Sequence, residues 1–570
     1  MKVIDFKDAR CRHCYKCVRY CDVKAILVKN EQAHIIPENC IHCGHCLEVC
    51  PQNAKTFASD MLRVKGYLRD GLRTIISIAP SYLGVFPYER PGQVVDALLK
   101  LGFSEVRETA EGAALVTAEY RKLLKAGEME NIITTCCPSV NDLIEKYYPS
   151  LAPMMAPVIS PMIAHGRMIK SMYGEDVKVV FLGPCIAKKQ EAIGDERVEG
   201  AINAILTFEE VLQWLSAEKI DICHCEEKPM SNPSPAVNQL YPISGGVTKA
   251  VLAGELCETY HKVAVDGLKH CMQLFESMER GELKGCFIEA NVCEGGCVKG
   301  PASGRWNHSQ ALAKVKMERE VKHTEAAEKS TVDVAMDKLF YERRPKMEEP
   351  SEEDIKQILK ATGKYTQTDE LNCGACGYPT CREKARAVYQ KKAELGMCLP
   401  YAIARAETMA NVVMDETPNL IFIVDRQLRI QECNKRAQTA LEISREEALE
   451  RYLFEFMDVT DIEEIFDVKK SITNKKVSIE TLRMTALEIL VYIEEQDAVL
   501  VIYQDITKEE EAKLKRYQLK METVEMAQAV IDKQMMVAQE IAGLLGETTA
   551  ETKVTLSKLR DSILFDGEGE

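Results

Sequence analysis

The chain has 570 residues and a formal net charge of −15, with 46% hydrophobic and 28% charged residues. This length predicts about four domains of ordinary size, and the composition is typical of a globular protein with several apolar cores. The negative charge argues against a nucleic-acid-binding protein, which normally presents a basic face. The sequence contains no run of about 18 apolar residues, so it predicts no membrane span.

The cysteine content is the first indication of function. The chain has 23 cysteines, and its first residues, "MKVIDFKDARC", lack the basic and then apolar layout of a signal peptide. We therefore expect a cytoplasmic protein, in which stable disulfides are rare. Metal ligation is then the more common use of so many thiols, and the spacing of the cysteines tests it.

Residues 1–59 contain two cysteine runs with the same spacing. The runs "CRHCYKCVRYC" and "CIHCGHCLEVCP" both follow C-x₂-C-x₂-C-x₃-C. Bacterial two-cluster ferredoxins have this pattern, and the fourth cysteine of each run binds the other cluster. Zinc, the alternative, rarely uses a repeated run of this kind. We predict a ferredoxin domain with two [4Fe–4S] clusters, the first held by Cys11, Cys14, Cys17 and Cys50, and the second by Cys40, Cys43, Cys46 and Cys21.

Residues 60–325 are predicted to form an α/β domain. Apolar runs such as "TIISIAP" and "VKVVFLGP" alternate with helical patterns such as "PGQVVDALLKLGF". Three strand-like segments, "NIITTCCPSV", "VVFLGPCIAKKQE" and "CFIEANVCEGGCVKG", each end in cysteines. Open α/β sheets usually place their ligands at strand ends, so four of these thiols could close around a further iron–sulfur cluster. Buried structural cysteines are the alternative for this set, which is Cys137, Cys185, Cys293 and Cys297.

These three segments resemble the signature motifs of [FeFe]-hydrogenases in their order and approximate separation. The resemblance covers residues 1–325, because many such enzymes also carry a ferredoxin module in front. It implies an H-cluster, in which a [4Fe–4S] cubane is joined through Cys297 to a two-iron unit. That unit carries carbon monoxide, cyanide and a bridging dithiolate amine, and maturation proteins insert it. The implied cubane ligands are Cys137, Cys185, Cys293 and Cys297.

The same resemblance implies roles for residues around the two-iron unit. Cys136 would be the terminal proton donor, because a thiol with a pKa near 8.5 can give and regain a proton near neutral pH. A small buried hydrophobe is the alternative for this residue. Lys188 would hydrogen-bond one cyanide and Ser81 would donate to the other. The two methionines that usually line the unit are replaced here by Gly183 and Asn291.

The proton relay departs from the family pattern. Glu191 matches one relay carboxylate, and Glu119 is aligned with another. Val116, however, stands where the family has a relay glutamate, and Ala156 stands where it has a serine. Neither apolar side chain can carry a proton. The sequence therefore predicts hydrogen binding or slow cycling rather than fast turnover.

The next two segments are predicted to be a connector and a small metal domain. Residues 326–365 are charged and helix-prone, with interruptions at Pro345 and Pro350, which predicts a helical connector. Residues 366–407 resemble the small four-cysteine [4Fe–4S] domain of redox-linked membrane complexes and regulators. Zinc remains an alternative, because spacing alone does not distinguish it from iron. The predicted ligands are Cys373, Cys376, Cys381 and Cys398.

Residues 408–510 resemble a PAS sensor domain, with short strands, a helix entry at Asn434 and the closing "QDIT". No histidine follows His323, which excludes a histidine-ligated haem in this domain. Flavin remains open, and so does a PAS domain without a ligand. Residues 511–570 are predicted to be a dimerising or signalling helix, with packing against the PAS domain as the alternative. Its coiled-coil seam would contain Leu514, Tyr517, Met521, Val524, Gln528, Ile531, Met535, Ala538, Ala542 and Leu545.

The sequence thus predicts a multidomain α/β chain with a ferredoxin-like module, an H-cluster domain, a small helical [4Fe–4S] domain, an α+β PAS domain and a coiled-coil helix. The first functional hypothesis is a hydrogen or redox sensor. Its output would pass to a partner such as a phosphatase or kinase, because nothing C-terminal resembles a kinase or a DNA-binding domain. The second is a hydrogenase that exchanges H₂, protons and electrons with a ferredoxin. The third is an electron carrier without the two-iron unit. The role of Cys223 and Cys225, in "CHCEE", stays open between a metal site and a loop.

Overall fold

The computed structural model describes most of the chain, namely residues 3–6, 10–30, 32–232, 236–252, 260–303, 309–321, 332–545, 554–555 and 557–558. The chain divides into two compact units, residues 1–401 and residues 402–570. In the part of the chain with described coordinates, none of the helices has the length and apolar character needed to cross a membrane.

The first elements form a small module with little regular structure. Two antiparallel pairs, β1 with β4 and β2 with β3, frame two short helices that each follow a cysteine turn. His13, Tyr15 and His42 have positive φ angles of 48°, 52° and 56° in those turns, which bend the backbone sharply around the cysteines. The elements are β1 (Ile4–Phe6), α1 (Lys16–Tyr20), β2 (Ile26–Lys29), β3 (Gln32–Ile35), α2 (His45–Glu48) and β4 (Lys55–Phe57).

The following α/β domain contains two separate parallel sheets. The four-stranded sheet has the order β6-β5-β8-β9, and the three-stranded sheet has the order β10-β11-β7. Buried, mostly apolar residues fill β5, β7, β8, β9 and β11, as in parallel sheets covered on both faces, whereas β10, at the edge of its sheet, is exposed or half-buried. The strands are β5 (Thr74–Ile78), β6 (Glu105–Glu108), β7 (Ile132–Ile133), β8 (Lys178–Gly183), β9 (Ala204–Thr207), β10 (His261–Asp266) and β11 (Cys286–Asn291).

Helices cover these sheets, and several begin directly after a strand end. The helices are α3 (Met61–Arg69), α4 (Tyr82–Val85), α5 (Gly92–Lys100), α6 (Ala110–Ala126), α7 (Pro138–Tyr147), α8 (Pro161–Tyr173), α9 (Ala187–Gly194), α10 (Phe208–Ala217), α11 (Gly246–Leu252), α12 (Leu268–Glu279) and α13 (Gln310–Glu320). Helices α7 and α8 each begin with a proline, which suits the first helical position because it lacks an N–H group.

The prediction of a helical connector over residues 326–365 is wrong for most of the part that the structure describes. Residues 332–350 contain no helix and run extended, and a helix forms only at α14 (Glu352–Ala361). Pro345 and Pro350 disfavour a helix before that point, and the hydrogen bonds of the segment go to the α/β domain instead. Ser351 then starts α14 with a capping box to Asp354. Residues 322–331 lie outside the described part.

The small four-cysteine segment packs directly on the first module. It contains α15 (Cys381–Tyr389) and the start of α16 (Leu399–Glu416). Val18, Ile26 and Val28 share one apolar cluster with Tyr378 and Met397. The predicted domain boundary at 407/408 falls inside α16, because residues 401–416 contain no proline or glycine to end the helix.

The second unit contains a five-stranded antiparallel sheet of order β13-β12-β16-β15-β14. Asn434 caps the helix that follows the second strand of this sheet. Its Oδ1 accepts a hydrogen bond of 3.0 Å from Ala437 N. The long last helix begins at residue 507 rather than at 511. The elements are β12 (Leu420–Asp425), β13 (Ile430–Cys433), α17 (Lys435–Leu441), α18 (Arg445–Leu449), α19 (Thr460–Val468), β14 (Ile472–Ile479), β15 (Met484–Ile493), β16 (Ala498–Asp505) and α20 (Thr507–Leu545).

A buried carboxyl group in this sheet predicts a pH-dependent stability. Glu488 is 3% exposed and accepts a 3.0 Å hydrogen bond from the Tyr503 hydroxyl. Burial, together with the negative charge of Asp461, raises the pKa of Glu488 from 4.5 to about 7, against the opposing effects of Tyr503 and Lys475. The folded unit therefore binds this proton more tightly than the unfolded chain, and stability falls as the pH rises from 4.5 through about 7.

We expect Glu488→Gln to remove this pH dependence, which amounts to roughly 3 kcal/mol at most. Amide hydrogen exchange of the five-stranded sheet, followed in the full chain, measures this pH dependence of stability. The parent protein should lose protection relative to the variant between about pH 5 and about pH 8, and comparison at the same pH cancels the intrinsic exchange rate. An identical pH response in the two proteins would contradict the assignment to Glu488.

Candidate iron–sulfur and hydrogen site

Four strands from two different sheets direct their C-terminal ends to one site. Cys137 follows β7, Cys185 follows β8 and Cys293 follows β11, each within a few residues of the strand end. Ser81 follows β5 in the same way. The neighbouring strands of each sheet are parallel, so their carboxyl ends share an edge, which is where α/β sheets usually bind ligands.

The four predicted cubane cysteines lie close together at this edge. Cys293 interacts electrostatically with Cys185, Cys297 and Cys137, and Cys297 interacts with Cys185 and Cys137. Burial raises the pKa of Cys185 to about 11, and it also raises the pKa values of Cys293 and Cys297. Neutral thiols are therefore favoured in the protein alone, and a bound cation would be needed to hold thiolates here.

The described residues contain no three ligating side chains placed closely enough to hold one metal ion together. A cubane uses its thiolates differently, since each binds a separate iron atom. Gly295 and Gly296, between Cys293 and Cys297, have φ angles of 77° and 93°. A Cβ at Gly296 would lie 2.3 Å from the carbonyl oxygen of Pro242. Only glycine fits this turn between the two cysteines.

The side chains predicted to face the two-iron unit suit such a group. Ser81 is fully buried, and among the described residues its Oγ has no hydrogen-bond partner, which a ligand acceptor would supply. The Lys188 ammonium donates to the Cys136 carbonyl at 3.2 Å and to Glu191 at 2.7 Å. An ammonium has three donors, so one remains for a ligand. The donor set therefore fits the implied group.

Gly183 and Asn291, at the positions where the resemblance implies methionines, are both buried. A Cβ at Gly183 would lie 2.6 Å from the Phe181 ring, which takes the space that a longer side chain would need. Asn291 is 7% exposed, and its Nδ2 donates weakly to Glu289 at 3.4 Å. The structure thus gives this side of the site an aromatic ring and an amide.

Four segments of the chain match known families. Residues 72–301 match the family model described as "Iron only hydrogenase large subunit, C-terminal domain". We call this segment the hydrogenase domain, after the family model that it matches. The 4Fe-4S dicluster domain matches residues 10–54, an Fe-S cluster family matches residues 369–400, and the PAS fold matches residues 408–506.

Curated relatives and solved structures are each similar to about half of the chain. The periplasmic [Fe] hydrogenase large subunit of Nitratidesulfovibrio vulgaris is 28% identical over 52% of this chain and 85% of its own length. The NADP-reducing hydrogenase subunit HndD of Solidesulfovibrio fructosivorans is 27% identical over 51% of this chain and 60% of its own length. A solved HydA1 [FeFe]-hydrogenase from Chlamydomonas reinhardtii is 20% identical, with a TM-score of 0.40, over 47% of this chain and 90% of that one.

The predicted proton-relay residues of the hydrogenase domain are not all brought together. Glu191 lies beside Lys188, and Ser160 donates to it at 3.0 Å. The carboxylate of Glu119 instead pairs with the exposed Lys122 at 2.6 Å. Val116 is buried in the apolar core with no group to relay a proton.

The Cys136 thiol of the hydrogenase domain has a partner that the motifs did not indicate. The Tyr120 hydroxyl lies 3.3 Å from its Sγ, and Tyr120 is itself fully buried. The Thr135 N–H donates to that hydroxyl at 2.9 Å. Burial raises the pKa of Cys136 to about 12 and that of Tyr120 well above 10. No spacing rule pointed to Tyr120, which lies on α6 and packs edge-on against Phe287 of β11.

The remaining predicted ligand sets also gather in the structure. Cys43 interacts with Cys21, Cys46 and Cys40. Two separate cavities account for the other sets. One is lined by Cys11, Cys14, Cys17 and Cys50, and the other by Cys373, Cys376, Cys381 and Cys398.

These sets follow one another from the hydrogenase domain outward. Glu48, at the end of α2, interacts electrostatically with Cys293, and Cys46 on the same helix interacts with Cys17 of the next set. Tyr378 of the four-cysteine segment interacts with both Cys376 and Cys21. Electrostatic interactions therefore link neighbouring cysteine sets, either directly or through one intervening residue.

The unassigned cysteines give no further cluster among the described residues. Cys223 is exposed, while Cys225 is buried with its Sγ 3.6 Å from the Lys100 ammonium. Cys271 and Cys286 are buried in the apolar core of the hydrogenase domain. Cys257 lies outside the described residues.

Proposed function

We propose that this chain is a hydrogen or redox sensor of the [FeFe]-hydrogenase type. It would bind H₂, or turn it over slowly, and relay the resulting state through iron–sulfur clusters toward the PAS domain and α20. When bound, the two-iron unit would supply the metal site at which H₂ is split or formed. The output partner would be a protein such as a phosphatase or kinase, and the chain would form a homodimer through α20.

The observation that carries this proposal is the broken proton relay beside an intact ligand set. Val116 and Ala156 are both fully buried apolar residues, and an apolar side chain cannot transfer a proton. Glu119 pairs with a surface lysine instead. The ionisable groups that interact with Cys136 include Tyr120, Lys188, Glu289 and Glu191, and the raised pKa of the Tyr120 hydroxyl disfavours proton loss from it at neutral pH. Slow turnover follows from this arrangement.

The packing of the four-cysteine segment also supports relay rather than catalysis alone. Val28 N donates to the Lys392 carbonyl at 2.9 Å, and Lys24 Nζ donates to the Gly377 carbonyl at 3.2 Å. We propose [4Fe–4S] for this segment, with zinc as the alternative, and a PAS domain that acts without its own ligand. The proposed compartment is the cytoplasm, and the proposed redox partner is a ferredoxin.

Infrared spectroscopy of the matured full chain, with and without H₂, tests the proposal together with a turnover assay. Carbonyl and cyanide bands that change with H₂, combined with slow H₂ evolution, would support a sensor. Fast evolution with reduced ferredoxin would instead favour the catalytic hydrogenase. A matured protein without such bands would favour an electron carrier that lacks the two-iron unit.

A further inference from the structure

The extended connector of the hydrogenase domain, residues 332–349, crosses close to the proposed two-iron site. We call this segment the strap. Ile159 N donates to the Met336 carbonyl at 2.9 Å, and Lys338 N donates to the Pro157 carbonyl at 3.2 Å. The strap therefore runs beside the chain that leads from the first cysteine motif into α8. Its backbone is fixed there by hydrogen bonds on both sides of Lys338.

The side chain of Lys338 is buried, although lysine is almost never fully buried unless it is paired. It is 3% exposed, and its Nζ lies 2.9 Å from Asp195 Oδ2 and 3.7 Å from Glu191 Oε1. The other oxygen of Glu191 accepts from Lys188 and Ser160. Positive and negative groups thus alternate in one buried row, from Lys188 through Glu191 and Lys338 to Asp195.

This row decides where Lys188 can direct its ammonium group. Glu191 Oε1 has no hydrogen-bond partner among the described residues, and Lys338 is the cation that faces it. Without Lys338, both oxygens of Glu191 would compete for Lys188. A buried carboxylate without enough positive charge beside it destabilises the folded protein. Lys188 would then be drawn toward Glu191. Its ammonium would move away from the Cys136 carbonyl oxygen, which now lies 3.2 Å from Lys188 Nζ.

We propose that Lys338 is a positioning residue for the two-iron site, which fixes Glu191 and thereby the direction in which Lys188 presents its ammonium to a cyanide ligand. The inference rests on the proposed function for the identity of that ligand. The placement of Lys188 by Lys338, however, is a property of the protein alone. It follows that removal of the Lys338 charge should draw Lys188 more tightly onto Glu191 whether or not the two-iron unit is present.

The experiment compares Lys338→Met with Lys346→Met in the full chain. Both variants exchange a lysine of the strap for methionine, but Lys346 is exposed. The first measurement uses the protein before insertion of the two-iron unit, and follows methylation of Lys188 by formaldehyde and a borohydride with mass spectrometry. The second uses the matured protein and records its infrared cyanide bands. The double variant Lys338→Met/Asp195→Asn guards against misfolding, because it leaves the row with no added net charge.

We expect Lys338→Met and the double variant to lower the methylation rate of Lys188 several-fold, because an ammonium held more tightly by Glu191 yields less of the neutral amine that reacts, and Lys346→Met to leave it unchanged. The cyanide bands should shift and broaden in the first two proteins only. Parental methylation of Lys188 in both proteins that lack Lys338 would overturn the inference. Failure of the proposed function is distinguished from this result, since a matured parent without cyanide bands leaves the methylation comparison fully valid.

Discussion

Replacement of Cys297 by alanine is expected to remove the iron of the hydrogenase domain and every infrared band of the two-iron unit. Cys297 is half-buried and lies among Cys185, Cys137 and Cys136. Loss of one thiolate from four leaves an iron atom without its protein ligand, and the resemblance also makes this cysteine the bridge to the two-iron unit. Iron and sulfide analysis should show one cubane fewer, while the ferredoxin clusters remain.

Cys271→Ala is the matched control for this variant. Cys271 is also close to Cys137 and is fully buried, but its Sγ donates to the Asn291 carbonyl at 3.4 Å. Its replacement should cost about 1 kcal/mol of stability through a small cavity and should leave the iron content unchanged. Equal iron loss from the two variants would show that the ligand set has been wrongly assigned.

Gly377→Val is expected to detach the four-cysteine segment from the ferredoxin module. Gly377 has a φ of +92°, and a Cβ at this position would lie 3.0 Å from the side chain of Val18. A β-branched residue cannot adopt this backbone without strain of at least about 1–2 kcal/mol, and Val18 has no room to yield inside the shared apolar cluster. The contact should therefore open, with faster amide exchange at Val28, whose N–H donates to Lys392.

Gly363→Val separates the effect of contact from the effect of backbone strain. Gly363 has a φ of +74°, but none of the described residues lies within 4 Å of a Cβ there. Both variants carry similar strain, so only Gly377→Val should speed amide exchange at Val28. With the proposed [4Fe–4S] cluster in the four-cysteine segment, only this variant should also weaken the magnetic interaction between that reduced cluster and those of the ferredoxin module. If Gly363→Val has the same effect on both measurements, the docking surface is not the cause.

Most of the domain order could be predicted because each module has its own local pattern. The repeated C-x₂-C-x₂-C-x₃-C runs and the strand-ending cysteines are short-range features, and the matched families bear out the fold classes they indicated. The connector is the clear failure. A charged, helix-prone composition predicted a helix over residues 326–365, whereas residues 332–350 are extended. Their hydrogen bonds to the hydrogenase domain outweigh local helix propensity, which is a weak preference.

The candidate site shows the same division in finer detail. Cys136, Lys188 and Ser81 could be named because they stand within or near recognisable motifs. Tyr120 and Lys338 could not, since they belong to no motif and reach the site from a distant helix and from the strap. The relay role of Glu119 stays a prediction, because its carboxylate pairs with Lys122 at 2.6 Å and a position along the chain does not fix which way a helical side chain faces.

The amino-acid sequence alone was sufficient to establish which thiols were available for clusters, which modules follow one another and which relay positions are apolar. Only the tertiary structure decided which groups meet. The thiols of the hydrogenase domain converge because two parallel sheets present their carboxyl edges to one place. Lys338 reaches the same site because the strap is extended and forms its backbone hydrogen bonds with the hydrogenase domain rather than within a helix. Side-chain neighbours across such distances depend on packing, which no spacing along the chain encodes.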